Sequence, residues 1–295
     1  MMTLKPIKRI ALGFTLVELI VVVVLLGVMA TASSTFILKP IEIYVDVKRR
    51  QELVDNTEMA FRRISRDIHR ALPNSLRVST SGTTLEIINT VDGARYRNEA
   101  SSTADHTTQD DILTFAGDTS FNTLGTFDFI NSGDTLTNHR LVIYNTSTNI
   151  YAEAASNSSS SIITPSTTSI SVINDAPNEQ KVTLSASQTF PFESPNQRFF
   201  LINQSIVYVC NVSDGTLYRY TGTTYIANQA NNETDAQLTS NGFSKALVTQ
   251  NISSCTFTYS QGASSRSALV TLEMSLSKKS ETINLLHEVH VINAP

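Results

Sequence analysis

Gly13-Phe14-Thr15-Leu16-Val17-Glu18-Leu19-Ile20-Val21-Val22-Val23-Val24-Leu25-Leu26-Gly27-Val28-Met29-Ala30 is the stretch on which the fold turns. From Ile10 to Leu38 its Glu18 is the single ionisable side chain. As a helix, about 20 apolar residues span a hydrocarbon layer of about 30 Å. Phe36 to Leu38 carry the run further. A helix buried in a soluble core is the competing reading, and length combined with lack of charge argues against it. The sequence therefore predicts a transmembrane helix over residues 14–39.

Lys5, Lys8 and Arg9 precede this run. Such a basic head also suits a secretory signal, for which Ala30-Thr31-Ala32 comes close to a cleavage site without meeting it cleanly. The head charges favour a cytoplasmic N-terminus, although Lys39 and Lys48-Arg49-Arg50 follow on the other side. Residues 1–70 hold 11 Lys/Arg against 7 Asp/Glu, whereas residues 71–295 hold 11 against 19. One part is suited to a membrane and the other to water. An isolated carboxylate at membrane depth costs roughly 2.5–3.5 kcal/mol. Glu18 must be neutral, snorkel to the headgroups, or meet a cation held at the same depth by another chain.

Taken with the basic leader and the apolar run, Gly13-Phe14-Thr15-Leu16-Val17-Glu18 resembles the processing motif of type IV prepilins and pseudopilins. The resemblance implies a leader, residues 1–13, removed by a membrane-embedded aspartic prepilin peptidase that cuts between Gly13 and Phe14. It implies methylation of the new Phe14 amine, and a Glu18 that pairs with the Phe14 amine of a neighbouring subunit. Removing one member of such a buried pair strands the other. The implied partners are the peptidase, other pilin and minor pilin subunits, and the inner-membrane assembly platform. The implied architecture is a long N-terminal helix, half in the membrane and half packed on a globular head.

Pro40 lacks an N–H and is expected to kink the helix. Beyond it Val47, Val54, Phe61, Ile64, Ile68 and Leu72 recur at helical spacing among charged residues. This predicts an amphipathic helix over 40–72, closed by Pro73-Asn74. Ile41 to Val47 also alternates like a strand, which leaves the middle open. The basic residues Arg62, Arg63, Arg66 and Arg70 are interleaved with acids and read as a solvated face rather than a nucleic-acid or lipid site.

Residues 73–295 form the predicted globular body. Strand candidates are Leu85–Ile88, Ile112–Phe115, Leu141–Tyr144, Arg198–Ile202, Ile206–Cys210, Thr216–Tyr220, Cys255–Tyr259, Ala268–Leu276 and Glu281–Ile292. Asn211 to Gly215 reads as a hairpin turn, and Val270, Leu272, Met274 and Leu276 as one core-facing row. The Ser/Thr-rich stretch 145–171, and similarly 227–241, have little to bury and read as loops. The fold class is α+β, with the long helix packed on a mainly antiparallel β head. Cys210 and Cys255 are the only thiols. On an exported body they should pair, with two buried free thiols as the alternative, and the family resemblance supports pairing.

Composition closes off other functions. The chain has 295 residues, a net charge of −4, two cysteines and no tryptophan. That excludes a basic nucleic-acid binder and a disulfide-dense mini-domain. It has 71 serines and threonines, which excludes a coiled-coil rod. Hydrolase, phosphate-loop and zinc-protease motifs are missing. His287 and His290 would point to opposite faces of a strand, and Asp105, Asp110, Asp111 and Asp118 read as solvated loop acids rather than calcium ligands. No catalytic residue, metal or cofactor is expected. Three functions fit: a minor pilin-like subunit of a type IV pilus, a minor pseudopilin of a type II secretion system, or a membrane-anchored periplasmic binding module or adhesin.

Overall fold

The computed structural model describes residues 13–99, 111–260, 268–279 and 281–291. The leader residues 1–12, Asp105 and Asp110 lie outside them. The chain divides into two compact units, Met1–Glu52 and Leu53–Pro295. A single helix, α1 (Leu16–His69), contributes to both.

In the first unit, Leu16–Ser33 is long and apolar enough to cross a membrane, and none of it is buried. Its leucines and valines stand exposed all round the helix. That is the surface of a helix surrounded by lipid or by other helices rather than by water. The helix continues through Pro40 and through the strand-like segment 41–47. Pro40 is thus an internal helical residue and not an interruption. Proline removes one backbone bond, and the helical turns on both sides carry the helix across it.

In the second unit α1 becomes amphipathic. Leu53, Ala60, Phe61, Ile64 and Ile68 are buried, while Glu58, Arg62 and Arg63 are exposed. Thr57 sits on the buried face because its hydroxyl donates to the Leu53 carbonyl at 2.8 Å. One member of the predicted stripe falls off it: Val47 is exposed, while Val54 is half-buried and packs against the core. A strict seven-residue repeat drifts around a helix of 3.6 residues per turn. The core therefore takes the row Leu53, Thr57, Ala60, Ile64 and Ile68. The helix ends at His69, three residues before the predicted boundary. Ala71 bridges Asn89, and the Leu72 N–H bonds the Ile88 carbonyl at 2.8 Å. The residue before a proline avoids the helical region, so Leu72 is already extended.

The head follows as β1 (Arg77–Val78), β2 (Thr84–Tyr96), β3 (Asp118–Leu124), β4 (Thr135–Leu136), β5 (Arg140–Ile143), α2 (Ile150–Ser156), β6 (Ile170–Ala176), β7 (Glu179–Gln188), β8 (Arg198–Asn211), β9 (Thr216–Gly222), α3 (Asp235–Ser240), β10 (Ser244–Gln250), β11 (Ile252–Ser260), β12 (Ala268–Lys278) and β13 (Glu281–Val291). Among the described residues, ten strands form one sheet in the order β10-β9-β8-β2-β3-β7-β6-β4, with β1 on β2 and β5 on β8. The named strand pairs are antiparallel. β11, β12 and β13 form a separate antiparallel sheet. The architecture is α+β, an apolar N-terminal helix followed by a mainly antiparallel head.

The main core lies where the last turns of α1 meet both sheets. Ile64 and Ile68 share it with Ile87 and Tyr208 of the large sheet and with Leu272 and Met274 of the small one. Val270, Leu272, Met274 and Leu276 face inward as their alternation requires. Asp67 fixes the helix to the large sheet: it accepts from the Tyr208 hydroxyl at 2.6 Å and pairs with Arg219 at 2.6 Å. On the small-sheet side His287 stacks on Phe61, ring centroids 5.3 Å apart, and its Nε2 lies 3.0 Å from the Ser65 hydroxyl.

Three expectations for the head are corrected. Ile112–Phe115 is not a strand; the strand begins at Asp118. The stretch 145–171 is not a bare loop, since it contains α2, with Ile150, Tyr151 and Ala154 buried, and Ile163 fully enclosed. A few apolar residues at helical spacing suffice when a preformed sheet covers them. Segment 227–241 likewise holds α3, opened by a reciprocal Thr234–Gln237 cap and anchored by Leu238. Arg198–Ile202 and Ile206–Cys210 merge into the single strand β8.

Candidate processing and assembly site

Gly13, Phe14 and Thr15 precede the helix, which begins at Leu16. Thr15 is the residue that starts it. Its hydroxyl accepts from the Glu18 N–H at 3.3 Å, and its carbonyl accepts from the Leu19 N–H at 3.2 Å. Thr-x-x-Glu is the sequence signature of a helix start, and an acid in the first turn also complements the helix dipole. The signature was readable in residues 15–18, and sequence reasoning passed over it.

This cap leaves the Gly13–Phe14 peptide bond outside the helix. Phe14 is 78% exposed, and a Cβ placed on Gly13 would meet no atom within 4 Å. Among the described residues nothing in the chain requires glycine at position 13. Gly13 and Phe14 thus lie outside the helix and are exposed. Glu18 is fixed one turn downstream on an exposed face, and among the described residues no cation pairs with it.

Residues 8–34 match the family model of the prokaryotic N-terminal methylation motif. The chain thus carries a type IV prepilin-like methylation motif, with Gly13, Phe14 and Glu18 inside the matched span. Such a motif implies processing by a prepilin peptidase and assembly with other pilins, and the apolar helix that follows it suits a membrane anchor. No curated protein and no solved structure matches the chain.

The remaining sequence-predicted residues fall in the head. Cys210 on β8 and Cys255 on β11 are both buried as free thiols in one core cluster. The Cys210 side chain beside it, with burial, pushes the Cys255 thiol well up. His287 faces the helix while His290 is exposed, so they occupy opposite faces of β13. Asp111 accepts from the Ser120 hydroxyl and pairs with Lys181 at 3.0 Å. Asp118 accepts from the Thr114 N–H at 2.7 Å. Both are occupied with local structure. Arg62 pairs with Glu58 at 3.1 Å on the exposed helix face.

Sequence reasoning also missed a buried ion pair. Glu86 on β2 is fully buried and pairs with Arg77 at 2.8 Å; the Ser205 hydroxyl and the Asn232 amide donate to its other oxygen at 3.0 Å each. Burial raises the Glu86 carboxyl above the usual range, and Arg77 opposes that rise. The Arg77 guanidinium also lies over the Tyr151 ring at 3.5 Å and donates to the Ile226 and Ala227 carbonyls. This cluster ties β1, β2, β8, α2 and the 226–232 segment together. Every oxygen of Glu86 is engaged, which suits a structural role.

Proposed function

We propose that the chain is a minor pilin-like subunit of a type IV pilus of the mannose-sensitive haemagglutinin kind. It is made as a prepilin, cut between Gly13 and Phe14 and N-methylated on Phe14. Its N-terminus faces the cytoplasm and its head the periplasm. It acts in pilus assembly or initiation, with the inner-membrane assembly platform and other pilins as partners. It is not an enzyme. Cys210 and Cys255 join as a disulfide on export, stapling the two sheets.

The observation that carries this reading is the lone carboxylate. Glu18 sits one turn into a helix with no other charge along its apolar length, four residues from the amine that cutting would create. An acid in that position is expensive alone and favourable beside a cation. The Phe14 amine of a neighbouring subunit is a cation placed at the same depth by the same processing step. The pilus type rests on a resemblance of Arg198-Phe199-Phe200-Leu201, Val207-Tyr208-Val209-Cys210, Gly215 to Tyr220 and Leu286 to Val291 to MshO, a minor pilin-like protein of that system.

Glu18→Ala tests the mechanism. The variant is expected to be cut and methylated normally yet to be lost from sheared pilus preparations, because the neighbour's amine is left unpaired in the helix bundle. Normal incorporation of the variant contradicts the pairing. Deletion of the gene separates the pilus reading from a secretion pseudopilin: loss of surface pili supports the first, and loss of secreted enzymes with pili intact overturns it.

A further inference from the structure

The head contains a cleft of about 940 Å³ that processing and helix packing leave unused. Its floor is a gap in strand pairing. β2 pairs with β8 along one edge from Thr84 to Arg95. Along the other edge β1 covers Leu85 and Glu86, and Ala71 bridges Asn89. The Arg70 carbonyl then accepts from the Thr90 N–H at 2.8 Å, and β3 joins only at Arg95 and Tyr96. Among the described residues, Val91 to Ala94 have no strand beside them on that edge. Asp92 folds back over part of it, with one oxygen accepting from the Gly93 N–H at 2.8 Å and the other from the Phe129 N–H at 2.7 Å. An unpaired backbone edge is a template for an added strand.

The cleft's charge leans positive, with three arginines against two aspartates. Arg70, Arg95 and Arg198 line it, and among the described residues none has a carboxylate at ion-pair distance. Arg95 donates instead to the Asn196 carbonyl at 3.0 Å and to Gln197 Oε1 at 3.4 Å. Two acids also line the cleft, Asp92, which accepts the two backbone N–H bonds, and Asp128. The Thr90 hydroxyl on the floor is buried without a partner. At the lip Phe129 is 69% exposed, an aromatic anchor of the kind interfaces use.

We propose that this cleft binds an extended acidic peptide segment of a partner subunit, which lies beside Val91–Ala94 as a short added strand and sets its carboxylates on Arg70, Arg95 and Arg198. A basic segment would meet three arginines that have no carboxylate at ion-pair distance among the described residues, and would be disfavoured. A free anion would use the guanidiniums but leave the backbone edge and Phe129 idle. The cleft lies in the head alone, and the identity of the partner as another subunit rests on the proposed function.

The test uses the full chain in detergent micelles and a rhodamine-labelled, end-capped octapeptide of alternating glutamate and threonine, read by fluorescence anisotropy. Saturable binding is expected, with slowed amide exchange at Val91–Ala94. The double variant Arg70→Glu/Arg198→Glu should bind about tenfold or more weakly, since removing or reversing interface charges of this kind weakens complexes on that scale. Both residues are exposed, so the variant should keep its wild-type melting curve. Should it not fold, weakened binding by Phe129→Ala decides in its place. The same peptide N-methylated on alternate backbone nitrogens should not bind, and inorganic phosphate at equal concentration should not displace the parent. Each of the following overturns the proposal: no saturable binding, equal binding of a lysine–threonine peptide, indifference to the charge reversal, equal binding of the N-methylated peptide, or displacement by phosphate.

Discussion

Adding a reductant to protein recovered after export is expected to lower the melting temperature of the head. Cys210 and Cys255 belong to one core cluster, one on the large sheet and one on the small. A bond between them closes a loop of about 45 residues, which restricts the unfolded chain by about 4 kcal/mol in the chain-entropy account. For a unit of roughly 240 residues each kcal/mol moves the midpoint by about 2–4 °C, so reduction should lower it by about 8–16 °C. Calorimetry with and without dithiothreitol measures the shift. Alkylation under denaturing, non-reducing conditions counts the free thiols. The double variant Cys210→Ala/Cys255→Ala should show no response to the reductant. Burial and the Cys210 side chain raise the Cys255 thiol, so a mild oxidant should act slowly on the folded reduced form. Two alkylated thiols in the exported protein, with a melting temperature indifferent to reductant, would refute the reasoning.

Other consequences follow from burial and charge. Ile64 is fully enclosed where α1 meets both sheets, so Ile64→Ala should cost about 2–5 kcal/mol in denaturant unfolding; a loss below that range would mean the helix is not seated on the head as described. His139 has a buried, unpartnered Nδ1, and burial holds its pKa below the usual histidine value. The unfolded chain then takes up a proton that the folded head resists, so this residue's penalty appears as pH falls through about 6.5 and is absent above it. His139→Gln should flatten the loss of melting temperature between about pH 7.5 and 5.5, and an unchanged slope would exclude His139 as its source.

The sequence declared its N-terminal part plainly because two independent signals coincide there. Length without charge predicts the apolar helix, and Gly13, Phe14 and Glu18 stand at motif spacing within it. β12 and β13 were legible for a similar reason: Val270, Leu272, Met274 and Leu276 alternate without interruption, and a two-residue period survives in any sheet with one buried face. β6 and β7 were not legible. Residues such as Ser171, Asn174, Gln180 and Ser185 mask their alternation, and their burial comes from sheet neighbours far away in the chain. Tyr151 and Ile163 gave no sign of burial because their surroundings are polar in sequence and apolar only in space. The cleft was hidden for the strongest form of this reason. It joins Arg70, Arg95, Phe129 and Arg198, and its floor is a missing strand partner, which no linear pattern records.

The account rests on a helix kept after trimming and on a charge created by the trimming. The most direct measurement is the N-terminal sequence and intact mass of the chain isolated from cells that make a prepilin peptidase. The account predicts a polypeptide beginning at Phe14, with residues 14–39 intact, whose mass exceeds that of its sequence by one methyl group less the two hydrogens lost to the Cys210–Cys255 disulfide. A chain that still starts at Met1, or one that begins after Ala32 without its apolar helix, would contradict it.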